Sequence, residues 1–354
     1  NKETGELHPN TSEIIEMVAK EVEKKGIQAW YDIDTKSLMK DSEFYEKSND
    51  ILDVWFDSGV THFCVLDKEE NLSYPADLYL EGSDQHRGWF QSSLLTGIAI
   101  NDEAPFRSVL THGFVVDGEG KKQSKSLGNT VSPQSVWNKK GADILRAWVA
   151  SSDFRNEIYF SEEILDRTTD SYRRIRNTIR FLLSNLNDFD IDKVSTNEIE
   201  LVELDAWILN EARSLNEEII EDYSNYEFHL AFQKILNFCS NELGSFYLDI
   251  IKDRLYTSHK TGQARVSALI VMHKLLLSLL SWVSPVLSFT AEEAFKELKQ
   301  DIPSIFLSGW HQDWIDYDFS LDNNQKSSKF FRIYNEIPTL ILIVVIFVAI
   351  FKPL

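Results

Sequence analysis

Hydrophobic and polar positions follow two different rhythms along this chain. Up to about residue 158, short apolar runs are separated by Gly-rich polar turns and by stretches of helical period. Residues 10–25 predict a helix: Asn10, Thr11 or Ser12 can cap it, Ile14, Ile15, Val18 and Val22 share a face, and Gly26 stops it. A short strand and turn at 28–34 and a short helix at 37–47 follow. Residues 51–56 form a continuous apolar run closed by Asp57-Ser-Gly, the pattern of a parallel strand buried on both faces. A second strand begins at Ala76, breaks at a polar turn and leads into a helix over 88–100; a third is predicted over 108–116.

The second rhythm is helical throughout. Ser132-Pro133 opens a helix with proline in its first turn, and Gly141 separates it from a helix at 142–151. Ser161, followed by Glu162 and Glu163, caps a long helix running to residue 186. The stretches 204–224, 228–251, 265–281 and 285–299 are helical in period, and no strand is predicted among them. They predict an antiparallel bundle of four or five helices, with a domain boundary near residue 158.

Within the first regime lies the stretch 76–128, which could carry chemistry. A strand, a polar turn and a helix N-terminus offer backbone N–H groups to an anionic ligand. The strand at 108–116 runs into Asp117-Gly-Glu-Gly and a loop bearing Lys122 and Lys125, with glycines at 118, 120 and 128. A phosphate-bearing ligand at the mouth of a parallel sheet fits this order. A solvated hairpin tip is the competing reading of the lysines alone.

Charge and cysteine content narrow the classes. A net charge of −20 argues against an indiscriminate nucleic-acid binder, although a local basic patch would still suffice for a specific one. Arg173, Arg176 and Arg180 supply such a patch, spaced to share one helix face; a solvated edge paired with Asp166 and Asp170 is the alternative. Two cysteines give no disulfide framework and suit a reducing compartment. His62, Cys64 and His112 lack zinc spacing, so no metal site is expected. With no starting Met and no apolar leader, the sequence is expected to be a fragment. Its tail differs from the rest: Leu340 to Phe351 are twelve uninterrupted apolar residues, short of the ~20 that span a bilayer. The run 337–351 therefore reads either as a buried terminal helix or as a membrane-associated segment.

Several motifs, in order, resemble one family. Lys122-Gln-Ser-Lys-Ser is similar to the Lys-Met-Ser-Lys-Ser signature of class I aminoacyl-tRNA synthetases, with Gln123 in place of Met. Glu81-Gly-Ser-Asp-Gln-His-Arg-Gly-Trp resembles the isoleucyl-tRNA synthetases in particular. Asp53-Val-Trp-Phe-Asp-Ser-Gly and Leu110-Thr-His-Gly-Phe fit the same family, and the resemblance covers residues 1–325.

The resemblance implies an α/β fold followed by an all-α part: the C-terminal half of a Rossmann-like parallel-sheet catalytic domain, then an antiparallel helical bundle. Residues 1–50 would return from an absent editing insertion, 51–158 would form the catalytic half, and 159–325 the anticodon-binding bundle. The implied reaction is ATP-dependent activation of L-isoleucine to its adenylate, then transfer to tRNA-Ile. Lys122 and Lys125 are the implied catalytic charges. Glu81, Gly82, Asp84, Gln85, Ser124 and Lys125 would bind ATP or adenylate. Trp55 and Trp89 would line the amino-acid pocket, while Arg173, Arg176 and Arg180 would touch the tRNA backbone. Magnesium would arrive with ATP. A cytoplasmic monomer is expected.

Two departures matter. Gln123 alters the packing beneath the loop, and the 354 residues contain no His-x-Gly-His, the family's other ATP-site motif, so no catalysis is expected from the chain alone. A non-catalytic tRNA-binding piece, a valyl, leucyl or methionyl relative, and a membrane-anchored fusion remain alternatives. The last of these arises because residues 330–354 resemble the C-terminal end of the membrane protoporphyrinogen oxidases of haem synthesis, which implies a join near 325–330.

Overall fold

The computed structural model describes residues 1–124, 126–191, 194, 201–298 and 301–315. They divide into two units, Asn1–Leu110 and Thr111–Leu354. The expected apolar tail at 337–351 and the expected join at 325–330 lie outside the described residues, as does Lys125.

In the first unit α1 (Thr11–Lys25) forms as its periodicity predicts and stops at Gly26, whose φ of +75° suits glycine. Two helical turns, α2 (Gln28–Asp32) and α3 (Thr35–Leu38), then replace the strand expected at 28–34. Local capping explains the change. The Lys47 ammonium donates to the carbonyls of Trp30, Tyr31 and Ile33 at the end of α2, and the Asp34 carboxylate accepts the Lys36 N–H at the start of α3. The helix expected over 37–47 is reduced to the end of α3 and a 3₁₀ turn at Ser42–Phe44.

The strand expected at 51–56 is also overturned. Ile51 and Leu52 are exposed, and α4 (Val54–Gly59) starts where the apolar run should have been extended. Asp53 decides the outcome, since its carboxylate accepts the Trp55 N–H at 2.8 Å and caps the helix. A π-helical turn (His62–Leu66) follows. Strand β1 (Tyr79–Gly82), a 3₁₀ turn (Ser83–Arg87) and α5 (Trp89–Asn101) come next, in the order the sequence predicts. β1 pairs with β2 (Val109–His112). The pairing is entered through a parallel bridge between Ala76 and Phe106, and the Tyr79 N–H donates to the Ser108 carbonyl.

The single strand expected over 108–116 is interrupted at Gly113, and β3 (Val115–Asp117) pairs elsewhere. The Gly113 N–H donates to the Phe154 carbonyl, and a Cβ at this position would lie only 2.1 Å from the Asn156 carbonyl oxygen. Only glycine lets the two backbones cross so closely. β3 runs parallel to β4 (Ile158–Phe160), with Val116 opposite Tyr159. β4 escaped prediction because three residues carry too little alternation to read.

Helices α6 (Pro133–Lys140), α7 (Ala142–Ala150) and α8 (Glu162–Leu186) form with the expected Pro, Gly and Ser punctuation; the Ser161 hydroxyl accepts the Ile164 N–H. The bundle continues with α9 (Glu203–Ser224) and α10 (Phe228–Phe238). A π-helical turn (Cys239–Tyr247) leads to the short α11 (Leu248–Ile250) and α12 (Lys252–Thr257). Then come α13 (Gln263–Val283) and α14 (Ser288–Glu297). α13 is long and apolar enough to cross a membrane by length and composition, yet 83% of that stretch is buried inside the fold. It is the core helix around which the others pack.

Three polar clusters fix the bundle. Asp205 on α9 is fully buried and accepts from the Tyr247 hydroxyl (2.9 Å), the Arg254 guanidinium (3.0 Å) and the Ser267 hydroxyl (2.5 Å). Asp143 on α7 accepts the Phe289 and Thr290 N–H groups and the Thr290 hydroxyl, so it caps α14 from a distant helix. One turn further along α7, Arg146 donates to the carbonyls of Pro285 and Val286. Lys274, buried on α13, donates to the Asp313 carboxylate at 2.5 Å, and Tyr223 stacks on Trp310.

Replacing Asp205 by Ala leaves a guanidinium and two hydroxyls without their acceptor, and is expected to cost about 3–5 kcal/mol. Urea unfolding followed by circular dichroism measures this loss. A change under 1 kcal/mol would mean that the cluster is replaceable by packing.

Candidate functional site

In the first unit, β1 and α5 meet around Gly88. The 3₁₀ turn between them turns back on itself: the Gln85 amide oxygen accepts the Trp89 N–H at 3.0 Å. One of the N–H groups expected to face a ligand at the start of α5 therefore has an internal partner. A Cβ on Gly88 would lie 2.6 Å from that oxygen and 3.0 Å from the Trp55 ring, so the glycine leaves room for both. Trp89 is held on two sides. Its indole N–H donates to the Ser58 carbonyl at 3.0 Å, and its ring stacks on Tyr79 with centroids 4.2 Å apart. Tyr79 is itself fixed by a buried hydrogen bond between its hydroxyl and that of Ser93, and burial pushes its phenol up.

Trp55 and Trp89 thus border the same glycine from two helices, α4 and α5. Trp55 stays partly exposed while Trp89 is half-buried. Thr96 ties these helices together by donating to the Gly59 carbonyl at 2.8 Å, with His62 Nε2 3.1 Å from its hydroxyl. Burial pushes the His62 imidazole below its ordinary range, which suits a neutral packing role. Glu81 and Asp84 stand exposed at the end of β1 and in the turn; the Gly82 N–H donates to the Glu81 carboxylate at 3.3 Å. His86 is exposed, with its ring edge toward Phe90.

In the second unit the lysine loop leaves β3. Asp117, the last residue of the strand, collects the loop's backbone: one carboxylate oxygen accepts the N–H groups of Glu119 (3.0 Å) and Lys121 (2.9 Å). The other accepts from the side-chain amide of Asn129 at 2.9 Å. The same amide donates at 3.4 Å to the Lys122 carbonyl, and its oxygen accepts the Ser124 N–H at 2.9 Å. Gly120 and Gly128, at φ +79° and +67°, make the two reversals that this arrangement requires. The side chains of the adjacent lysines diverge. Lys121 pairs with Glu119 at 2.7 Å, whereas the Lys122 ammonium sits 4.6 Å from the centre of the Phe114 ring.

Sequence reasoning singled out the lysines of this loop and missed Asp117 and Asn129. The available signal was an Asx residue at each end of a Gly-bounded loop, the residue type that binds neighbouring backbone. Arg173 pairs with Asp170 at 3.3 Å, part of the solvated-edge alternative. Arg176 and Arg180 share a groove between α8 and α14 with Glu293 and Glu297. Among the described residues no group of three His, Cys, Asp or Glu side chains is placed to hold a metal ion.

Comparison with known proteins locates this arrangement. Residues 1–161 match the family model "tRNA synthetases class I (I, L, M and V)", and residues 205–341 match "Anticodon-binding domain of tRNA ligase". The second match runs past 325–330, where a join was expected. An isoleucine--tRNA ligase of Idiomarina loihiensis is 54% identical over 319 residues, covering 90% of this chain and 34% of the relative. One from Coxiella burnetii is 51% identical over 339 residues, covering 95% and 36%. The chain therefore spans about a third of the length of the curated relatives it matches. Among solved structures, the Agrobacterium radiobacter K84 LeuRS–tRNA–LeuAMS ternary complex matches 73% of this chain and 34% of that one, with a TM-score of 0.58 at 19% identity. Mycobacterium tuberculosis methionyl-tRNA synthetase with methionyl-adenylate matches 69% and 49%, with a TM-score of 0.56 at 24% identity. These likenesses establish the fold: parallel strands with helices, followed by a helical domain.

The Asn129 amide, with the backbone of Lys121 and Glu119, holds the Asp117 carboxyl below the ordinary carboxylate range. Its contribution to loop order is present above that range and is lost as pH falls through the lowered value. Carboxyl-carbon NMR should give Asp117 a midpoint below the usual ~3.9. The midpoint should rise in Asn129→Ala, and an unchanged one would separate the two residues.

Proposed function

The chain belongs to the class I tRNA synthetases, and from that premise we propose that it is the carboxyl-terminal part of an isoleucine--tRNA ligase. The observation that carries the reading is the 54% identity with a relative of that name over 319 residues. Residues 1–50 would lead into the catalytic half at 51–158, and 159–325 would be the anticodon-binding bundle.

In this reading the isoleucine carboxylate attacks the α-phosphate of ATP. A bond forms between carboxylate oxygen and phosphorus, the bond to the β-phosphate oxygen breaks, and pyrophosphate leaves with its electron pair. The aminoacyl group then passes to the terminal ribose of tRNA-Ile, releasing AMP. The protein supplies no covalent nucleophile, so its part is positioning and charge. Lys122, resting on the Phe114 ring rather than locked to a carboxylate, carries a positive charge that can be offered to phosphate oxygens. Lys125 would share that role, and the Ser124 backbone would support the loop. Glu81, Gly82, Asp84 and Gln85 would meet ribose hydroxyls or the amino group of the substrate. Trp55 and Trp89, already gathered at Gly88, would bound an apolar pocket of the kind that suits a branched aliphatic side chain. Magnesium would enter as the counter-ion of ATP. Arg173, Arg176 and Arg180 would contact the tRNA backbone, and the protein would act as a cytoplasmic monomer.

Retention of tRNA without catalysis is a second reading, favoured by the absence of His-x-Gly-His from the 354 residues. Isoleucine-dependent ATP–pyrophosphate exchange, with filter binding of tRNA at several salt concentrations, separates the two. The 354-residue chain alone is expected to give no exchange. Adding the upstream region of the Idiomarina loihiensis relative should restore it, and Lys122→Ala should then lower the rate about 100-fold. Exchange driven by valine or leucine in place of isoleucine would overturn the assigned specificity.

A further inference from the structure

We propose that Asn129 is the positioning residue of the lysine loop: its amide clips the far side of the loop to the end of β3 and so sets where Lys122 is carried. The inference deepens the reading of the loop as a phosphate-binding element and rests on it.

Asn129 has one acceptor oxygen and one NH₂ group, and the fold uses both. The oxygen takes the Ser124 N–H at 2.9 Å; the NH₂ donates to the Asp117 carboxylate at 2.9 Å and, more weakly, to the Lys122 carbonyl at 3.4 Å. Three points on the loop path (the strand end and two positions on the outgoing limb) are therefore fixed by one amide. Asp117 completes the arrangement by gathering the Glu119 and Lys121 N–H groups on its other oxygen. An antiparallel bridge between Val116 and Lys122 is the backbone consequence, because it brings Lys122 alongside the strand. From that position its ammonium reaches the Phe114 ring.

The clip also explains how a loop with glycines at 118, 120 and 128 can have a defined path. Glycines lower the cost of the reversals but do not select one conformation. Selection falls to side chains that bind backbone, and a neutral amide can do this without placing a second charge beside the lysines. A salt bridge in the same place would compete with any phosphate for Lys122. Asn129 thus differs from Glu119, which holds the neighbouring Lys121 directly.

An exchange of partners tests this. In Asn129→Ala and in Asp117→Asn, cleavage by trypsin after Lys121 and Lys122 in the 354-residue chain is expected to quicken roughly tenfold, because the open loop becomes more populated. The melting temperature should hardly move, since Asp117 and Asn129 lie outside the buried cluster that holds the bundle together. In the double variant D117N/N129D, amide and carboxylate trade places, and cleavage should return to within about twofold of the unmodified rate. An unchanged rate in Asn129→Ala, or a double variant no slower than the singles, overturns the proposal. Amide exchange at Ser124 in the unmodified chain is an independent measurement: protection supports the clip, and exchange at the free rate removes it. Repeating the digestion with magnesium–ATP, after adding the upstream region of the Idiomarina loihiensis relative to complete the ATP site, tells the two levels of inference apart. Slower cleavage in the unmodified chain supports the phosphate role. If the cleavage pattern of the variants holds but ATP protects none of them, the nucleotide reading fails and the clip stands.

Discussion

The second unit depends on how α7 grips the turn between α13 and α14. Asp143 and Arg146, three residues apart and so on one helical face, take opposite halves of that turn. The carboxylate satisfies N–H groups at the start of α14, and the guanidinium satisfies the carbonyls of Pro285 and Val286 in the turn after α13. The carboxylate meets the end of the α14 dipole that suits its charge. Without that pair, the backbone groups of a sharp helix–helix turn would be left without their partners beside the most buried helix of the fold. The grip also decides architecture: it sets α7, which follows the lysine loop in sequence, against the hairpin formed by the last two bundle helices.

Much of this fold was legible because its punctuation is chemical. Ser161, Pro133, Gly141 and Gly26 start or stop helices where they stand, for reasons that depend only on neighbouring atoms. The misreadings share a cause. Residues 51–56 look like a buried strand because five apolar letters out of six admit either structure, and Asp53 among them settles the matter by capping. The turn at α2 depends on Lys47, well downstream, so no local window contains the answer. Gly113 breaks a strand because the backbone of Asn156 crosses it, a contact no periodicity can announce.

The candidate site shows the same division. The lysines and the Glu81–Trp89 stretch stood out as letters, and Trp55 and Trp89 do converge on one glycine. The residues that hold them were silent. Tyr79 supports Trp89 as a flat ring against a flat ring, and in sequence it is merely an aromatic in a strand. Asn129 reads as an ordinary turn residue until its three hydrogen bonds are seen together. Groups that touch a ligand are chosen for chemical type and so can be recognised alone. Groups that position them are chosen for geometry, which a string of letters does not carry. The overall charge of −20 is no guide here either, because what matters is whether a given ammonium already has a carboxylate beside it.

Lys274 sits buried in the middle of the mostly apolar α13, and Asp313 reaches it from the segment that follows α14. That segment is therefore part of the folding unit, although its helical content among the described residues is one 3₁₀ turn at Ile305–Leu307. A chain trimmed at the end of α14 would remove the carboxylate partner of a buried lysine. Charge neutralisation thus carries the folding unit past α14, the last α-helix among the described residues.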